Sequence, residues 1–196
     1  RIGWKWEHDR SIIDKKLKSL SPSQHKYIQQ VGDVVGRIQK HFSCEEGELT
    51  TQERMQRGND QYSRQIVKLV RGQLSTCIAK ILNFRFHRPL RLFPFGNDKF
   101  HCWEIWESFA HKSSQPTLAS LSLCRAIRSL NANYRMLNKN MKFRSLICCG
   151  LNENLLAEWM LTLIQRQTKF FEKCYEKDSI MLNVTATDLF VMYLRK

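Results

Sequence analysis

The chain lacks long apolar stretches and is poor in the residues that form linkers. Its longest apolar run extends only from Leu146 to Leu151, whereas a membrane-spanning helix needs about 20 apolar residues. With 4 proline and 8 glycine residues among 196, it has little material for a flexible linker. We therefore expect a single domain over 1–196 without a membrane span. Because it begins with Arg1, we also expect it to be part of a longer protein.

The sequence also lacks the motifs of the common enzyme classes. It contains no GxxxxGK[ST] loop, GxGxxG turn, GxSxG elbow or HExxH pair, so phosphate-loop, dinucleotide, hydrolase and zinc-protease chemistry have no anchor. His41 with Cys44, and His101 with Cys102, fall short of the four ligands of a structural zinc site. We therefore expect no enzyme activity, no cofactor and no metal site.

The cysteines predict reduced thiols. Seven are present, an odd number without the spacing of a disulfide framework, and the start of the sequence shows no apolar segment of the signal-peptide type. This pattern is typical of a cytoplasmic protein. Cys148 and Cys149 lie in the most apolar run of the chain, so we expect buried structural thiols that resist thiol reagents.

Apolar residues recur at steps of three and four along most of the chain, as expected of amphipathic helices. A capping sequence, Ser21-Pro22-Ser23-Gln24, predicts a helix over roughly 22–42. The same spacing predicts a long central helix over about 52–85 and further helices beyond residue 100. No segment alternates with the period of a strand. The predicted fold is all-α, a single compact bundle of about eight to ten helices.

Two boundary signals are more local. Pro116 is expected to open a helix that runs through Leu137, because proline is favoured at the first helical position. Thr185 with Asp188 is expected to cap the last helix.

Positive charge is the most informative bulk property. The formal net charge is +14, and residues 61–97 and 108–152 each contain seven Lys or Arg and no acid. If these two stretches pack side by side, they form a broad positive face that favours acidic partners. The alternative is a set of ordinary solvated helix surfaces.

Three blocks of the sequence resemble the RUN domain, an all-helical module of adaptors in small-GTPase signalling and vesicle traffic. They are Leu74–Asn83 with Cys102-Trp103-Glu104, Lys142–Glu153 with the following Leu155, Leu156 and Trp159, and Phe171–Met181. The resemblance covers about 64–195, and residues 1–60 are expected to form an N-terminal helical extension packed on that core. The helix at 22–42 is similar in kind to one that precedes the RUN domain in SH3-containing adaptors, so we expect the chain to belong to that branch.

The resemblance implies a non-enzymatic adaptor or effector module. Its expected partner is a small GTPase of the Rab, Rap or Arf-like type, or a motor or coat component in vesicle trafficking. The implied location is cytoplasmic, including the periphery of vesicle, Golgi or endosomal membranes.

The resemblance also implies partner-binding residues. In some family members, basic residues of the second block and a histidine after the long helix contribute to GTPase binding. Lys142 and Arg144 match the basic positions, and Asn83 stands at the position of the histidine, which leaves the identity of the GTPase open. Arg85 and Arg88, which follow in the next loop, complete the expected partner-binding set.

Two other functions use the same cations. With Arg91, the residues Arg85, Arg88, Lys142 and Arg144 are also a candidate patch for anionic membrane lipids. Nucleic acid is a weaker candidate, because no helix-turn-helix, finger or RNP-like motif accompanies the charge.

Overall fold

The helices of the chain surround one apolar core. A computed structural model describes residues 3–43, 64–87, 100–112, 117–133, 135 and 138–195. These ranges contain nine α-helices: α1 (Gly3–Lys18), α2 (Pro22–Ser43), α3 (Ser75–Asn83), α4 (Trp103–Lys112), α5 (Leu118–Ala132), α6 (Lys139–Asn152), α7 (Leu156–Arg166), α8 (Thr168–Cys174) and α9 (Val184–Leu194). Within them no strand occurs, only an isolated bridge between Phe86 and Tyr175. The predicted all-α bundle is confirmed.

The capping signal before α2 works as predicted. The Gln24 backbone N–H donates to Ser21 Oγ at 3.4 Å, and the Ser21 N–H donates to Gln24 Oε1 at 3.3 Å. This reciprocal pair satisfies two of the amides that a helix start leaves without partners. The buried Gln24 side chain also donates to the Asp178 carbonyl at 2.8 Å and accepts from Asn183 Nδ2 at 3.1 Å. The start of α2 is thereby tied to the approach to α9.

The long central helix predicted over about 52–85 is not a continuous α-helix. Residues 64–67 are helical, but Lys68–Leu74 form a π-helix that runs directly into α3. A π-turn holds one more residue than an α-turn, so Leu69 and Leu74, five residues apart, are both buried. Ser75 Oγ donates to the Val70 carbonyl at 2.9 Å, a partner five residues back. The predicted start of this helix, residues 52–63, lies outside the described residues.

At the centre of the core lies α6, which packs against α3, α4, α5, α7 and the π-helix. Phe143, Leu146 and Ile147 are buried on its inner side. Gly150 allows close packing at its end, since a Cβ there would lie 3.1 Å from Leu156. Three tryptophans, Trp103, Trp106 and Trp159, are fully buried in the same core. The Leu-Asn-Glu step at 151–153 thus joins two packed helices, α6 and α7.

Two predicted boundaries are wrong. The helix expected to open at Pro116 begins at Leu118, where Thr117 forms a capping box with Ser120, and it ends at Ala132. Pro116 and Leu137 themselves lie outside the described residues.

At α9 the N-cap residue is Asn183 and not the predicted Thr185, because the Asn183 side chain accepts the Ala186 N–H at 3.1 Å.

The predicted division into an N-terminal extension at 1–60 and a RUN-like core at 64–195 stays a prediction. In the structure α1 and α2 pack on α9, and α2 also packs on the π-helix and α3.

Gly32 offers a test of the α2–α9 packing. A Cβ at this position would lie 2.7 Å from the Tyr193 ring, so Gly32→Ala should destabilise the fold by about 1–3 kcal/mol through overpacking. Gly36, one turn along α2, has nothing within 4 Å. Gly36→Ala should therefore stabilise by about 0.5–1 kcal/mol, because alanine costs less backbone entropy in a helix. Urea unfolding of both variants checks the opposite signs; the same sign for both would contradict the close α2–α9 contact.

Candidate functional site

The turn after α3 is held by the segment that follows α8. The buried Tyr175 hydroxyl donates to the Leu82 carbonyl, and burial raises the pKa of this phenol well above its ordinary value, so it remains a donor. The Glu176 N–H donates to the Arg85 carbonyl at 3.0 Å, and the His87 N–H donates to the Cys174 carbonyl at 2.8 Å. Residues far apart in sequence thus fix where Asn83 and Arg85 lie.

Arg85 is a paired cation. Its guanidinium lies 3.2 Å from a Glu176 oxygen and 3.3 Å from an Asp178 oxygen, and its backbone adopts the left-handed conformation, with φ of 56°. One guanidinium beside two carboxylates leaves no net positive charge at this position. Asn83 is exposed at the end of α3, while Arg88 and Arg91 lie outside the described residues.

Aromatic rings connect this turn to the start of α6. Phe86 stacks on Phe100 with ring centroids 3.6 Å apart. The next residue, His101, accepts the Trp103 N–H through Nδ1 at 3.0 Å. In a neutral imidazole the other nitrogen then carries the proton, so Nε2 donates to Asn140 Oδ1 at 2.9 Å. His101 is thus engaged through both ring nitrogens, which gives it a structural role here.

Lys142 and Arg144 lie at the two edges of the outward side of α6, because residues two apart on an α-helix are about 200° apart around its axis and the exposed Met141 lies between them. Lys142 is half-buried and donates to Asn131 of α5 at 2.8 Å. Arg144 is exposed and makes no ion pair with any residue of the described ranges. Lys139, one turn before Phe143, pairs with Glu104 at 2.9 Å. Among the cations of this block, Lys139 therefore pairs with a carboxylate, whereas Lys142 and Arg144 have no carboxylate partner in the described ranges.

The structure adds residues that the sequence analysis did not single out. Arg71 of the π-helix reaches Ser145 Oγ at 3.5 Å and lies close enough to Cys148 to lower its thiol pKa against the larger effect of burial. Val67, one turn before Arg71, is 48% exposed, and Met141 on α6 is 46% exposed. The "α6 face" is defined here as the following residues: Val67, Arg71, Met141, Lys142, Arg144 and Cys148.

The α6 face joins the two acid-free stretches of the sequence. The π-helix and α3 pack beside α6, so the two stretches meet there. The other long helix of the second stretch, α5, packs on α4, α6 and α7 instead. Arg71 belongs to the first stretch, and the lack of acidic residues around it is the sequence feature that could have marked it as a candidate binding residue. Its contact with α6 spans 74 residues of sequence and could not be read from spacing.

Comparison with protein-family models shows that residues 73–196, more than half of the chain, match the RUN domain. The chain belongs to the RUN domain family. RUN domains are in general interaction modules linked to small GTPases. The matched region contains α6 with Lys142 and Arg144, whereas Val67 and Arg71 lie just before it.

The other chemistry of this RUN domain is limited in the described ranges. No group of three or more His, Cys, Asp or Glu side chains that could hold a metal ion occurs there. None of the helices in those ranges is long and apolar enough to cross a membrane.

The Tyr175 contact can be tested by removing one oxygen. Tyr175→Phe leaves the Leu82 carbonyl without its side-chain donor and should cost about 1–3 kcal/mol of unfolding free energy. Tyr27→Phe is the matched control, because in the described ranges the Tyr27 hydroxyl has no hydrogen bond, and it should change stability by less than about 0.5 kcal/mol. Guanidinium unfolding measures both; equal effects would show that the Tyr175 hydroxyl does not hold the turn.

The thiols are less buried than expected: Cys148 and Cys149 are both half-buried. Burial nevertheless raises the pKa of each, with Arg71 opposing it at Cys148 and Glu153 adding to it at Cys149. At Cys102, which is 1% exposed, burial raises the pKa to about 12. Since the thiolate is the nucleophile, these groups should react slowly near neutral pH.

Pulsed alkylation with iodoacetamide and mass-spectrometric mapping would measure these rates. Cys148 and Cys149 should be labelled more slowly at neutral pH than in the unfolded chain and faster as the pH is raised, because the thiolate fraction grows. Cys102 should stay unlabelled while the protein is folded. Labelling of Cys148 at neutral pH as fast as in urea would contradict the raised pKa.

Proposed function

We propose that this RUN domain is a small-GTPase effector module that docks on an acidic surface of the GTPase through the α6 face. The observation that carries the proposal is that Arg71 of the π-helix and Lys142 and Arg144 of the adjoining α6 have no carboxylate partner among the described residues. Cations left unpaired in the free protein retain their charge for a partner, and complementary charge speeds and orients association.

The composition of the face supports protein binding. Val67 and Met141 present apolar side chains beside the cations, and interfaces combine apolar anchors with arginine. The inner side of α6 is buried among Phe143, Leu146 and Ile147, so the docking helix is held rigidly and loses little conformational freedom on binding.

The finer assignments are part of the proposal. The partner is of the Rab, Rap or Arf-like type, or else a motor or coat component of vesicle traffic, and the chain belongs to the SH3-containing branch. Lys142 and Arg144 contact the partner directly. Asn83 and Arg85 lie toward the other end of α3, where Arg85 serves chiefly to hold its turn through Glu176 and Asp178. The patch proposed for anionic lipids, built around Arg85, is less favoured for the same reason.

Nucleotide dependence is the decisive measurement. Effectors recognise switch segments that are ordered only in the GTP form, so pull-down against a panel of Rab, Rap and Arf-like GTPases should show binding to one or a few GTP-analogue forms and weak binding to their GDP forms. Equal binding to both forms across the panel would contradict an effector role.

Charge reversal locates the face. Arg144→Glu and Arg71→Glu should each weaken GTPase binding about five- to ten-fold, on the order of 1 kcal/mol. Arg144→Glu should leave the melting temperature nearly unchanged because the site is exposed, whereas Arg71→Glu should lower it slightly through loss of the hydrogen bond to Ser145. Lys169→Glu makes the same charge change at an exposed position of α8 and should leave affinity nearly unchanged. If Lys169→Glu weakens binding as much, net charge rather than the α6 face determines affinity.

A further inference from the structure

A second surface, on α5, combines apolar and basic side chains in a different arrangement. Leu118, Leu121, Arg125 and Arg128 fall within an arc of about 80° on this helix, along about 15 Å of its length. The opposite side of α5 is buried through Leu123, Ile127 and Leu130. We call these four outward residues the α5 stripe.

The apolar end of the stripe stands clear of the protein. Leu118 is 89% exposed and Leu121 is 49% exposed. Their positions are set by the helix start, where the Thr117 N–H donates to Ser120 Oγ at 2.8 Å and the Ser120 N–H donates to Thr117 Oγ1 at 3.2 Å. Two leucines are therefore held outward by a capped helix end.

The arginines at the other end of the stripe have no acidic partner within the described ranges. Arg125 and Arg128 are exposed, and within the described ranges neither makes an ion pair or a hydrogen bond through its side chain. No acidic residue occurs anywhere in 108–152. An open hollow of about 630 Å³ lies beside the two arginines, with Leu121 and Ser129 among its lining residues. Guanidinium groups and a hydroxyl suit the oxygens of a phosphate or carboxylate.

We propose that the α5 stripe rests on the surface of a membrane that contains anionic phospholipids. The arginines contact headgroup phosphates and carboxylates, and Leu118 and Leu121 enter the boundary with the acyl chains. An interfacial helix with leucines and basic residues binds in this way. This surface shares no residue with the α6 face, and the proposal does not rest on the proposed GTPase.

A membrane fits the stripe better than an acidic peptide does. A peptide seated in the hollow would contact the arginines and Leu121, but Leu118 is not among the lining residues and would stay in water. A bilayer takes up projecting leucines and supplies anions at the same surface, so it accommodates both ends of the stripe together.

Vesicle sedimentation tests the proposal with the purified chain alone. Binding to sucrose-loaded vesicles of phosphatidylcholine with phosphatidylserine should exceed binding to pure phosphatidylcholine vesicles and should fall with added salt. Arg125→Gln with Arg128→Gln should lower the partition coefficient about 30-fold, from about five-fold per cation. Leu118→Ser with Leu121→Ser should lower it several-fold while leaving the salt dependence unchanged, because no charge is lost.

The matched control removes equal charge from the other face. Arg71→Gln with Arg144→Gln should reduce vesicle binding far less than the α5 double variant; an equal reduction would overturn the proposal, as would equal binding to both kinds of vesicle. Binding of a poly-glutamate peptide that needs Arg125 and Arg128, without any vesicle binding, would overturn it in favour of an acidic protein partner. Since no GTPase is present, its failure is distinguishable from failure of the effector proposal.

Discussion

A buried hydroxyl joins the parts of this domain that the candidate site requires. Tyr175 follows α8, and its hydroxyl donates to the Leu82 carbonyl in the last turn of α3. A donor placed in the core satisfies a carbonyl that the helix end would leave without a partner. The same contact fixes the Asn83–His87 turn, whose Phe86 stacks on Phe100. Through His101 and Asn140 this turn is joined to the start of α6.

The fold also decides which cations have a carboxylate of the same chain beside them. Arg85 and Lys139 meet carboxylates of the chain itself, on Glu176, Asp178 and Glu104. Arg71 and Arg144 lie where two acid-free segments pack together and have no such neighbour among the described residues. Among the cations of the described residues, the α6 face and the α5 stripe are two groups that lie beside exposed apolar side chains. They differ in arrangement: apolar residues lie among the cations of the α6 face, whereas they lie at one end of the α5 stripe.

Helices set by local signals were predictable, and those set by distant contacts were not. The apolar steps from Tyr27 onward and the Ser21–Gln24 box placed α2 correctly, since both act within one or two turns. The π-helix at Lys68–Leu74 was missed because burial of both Leu69 and Leu74, against neighbours far along the chain, outweighs the regular α-helical repeat. The cap of α9 was misplaced because Asn183 also donates to Gln24, 159 residues away, a partner that no local pattern reveals.

From its sequence alone the chain determined its all-helical class, its excess of cations and its resemblance to the RUN family, because periodicity, composition and short blocks are properties of neighbouring residues. Tertiary structure alone decided which cations are available. Lys142 and Arg144 look like one pair in sequence but diverge on α6, Arg85 is offset by two carboxylates, and Arg71 arrives from another helix. The free charge of a side chain depends on what lies within a few ångströms of it in space, and only folding brings those neighbours together.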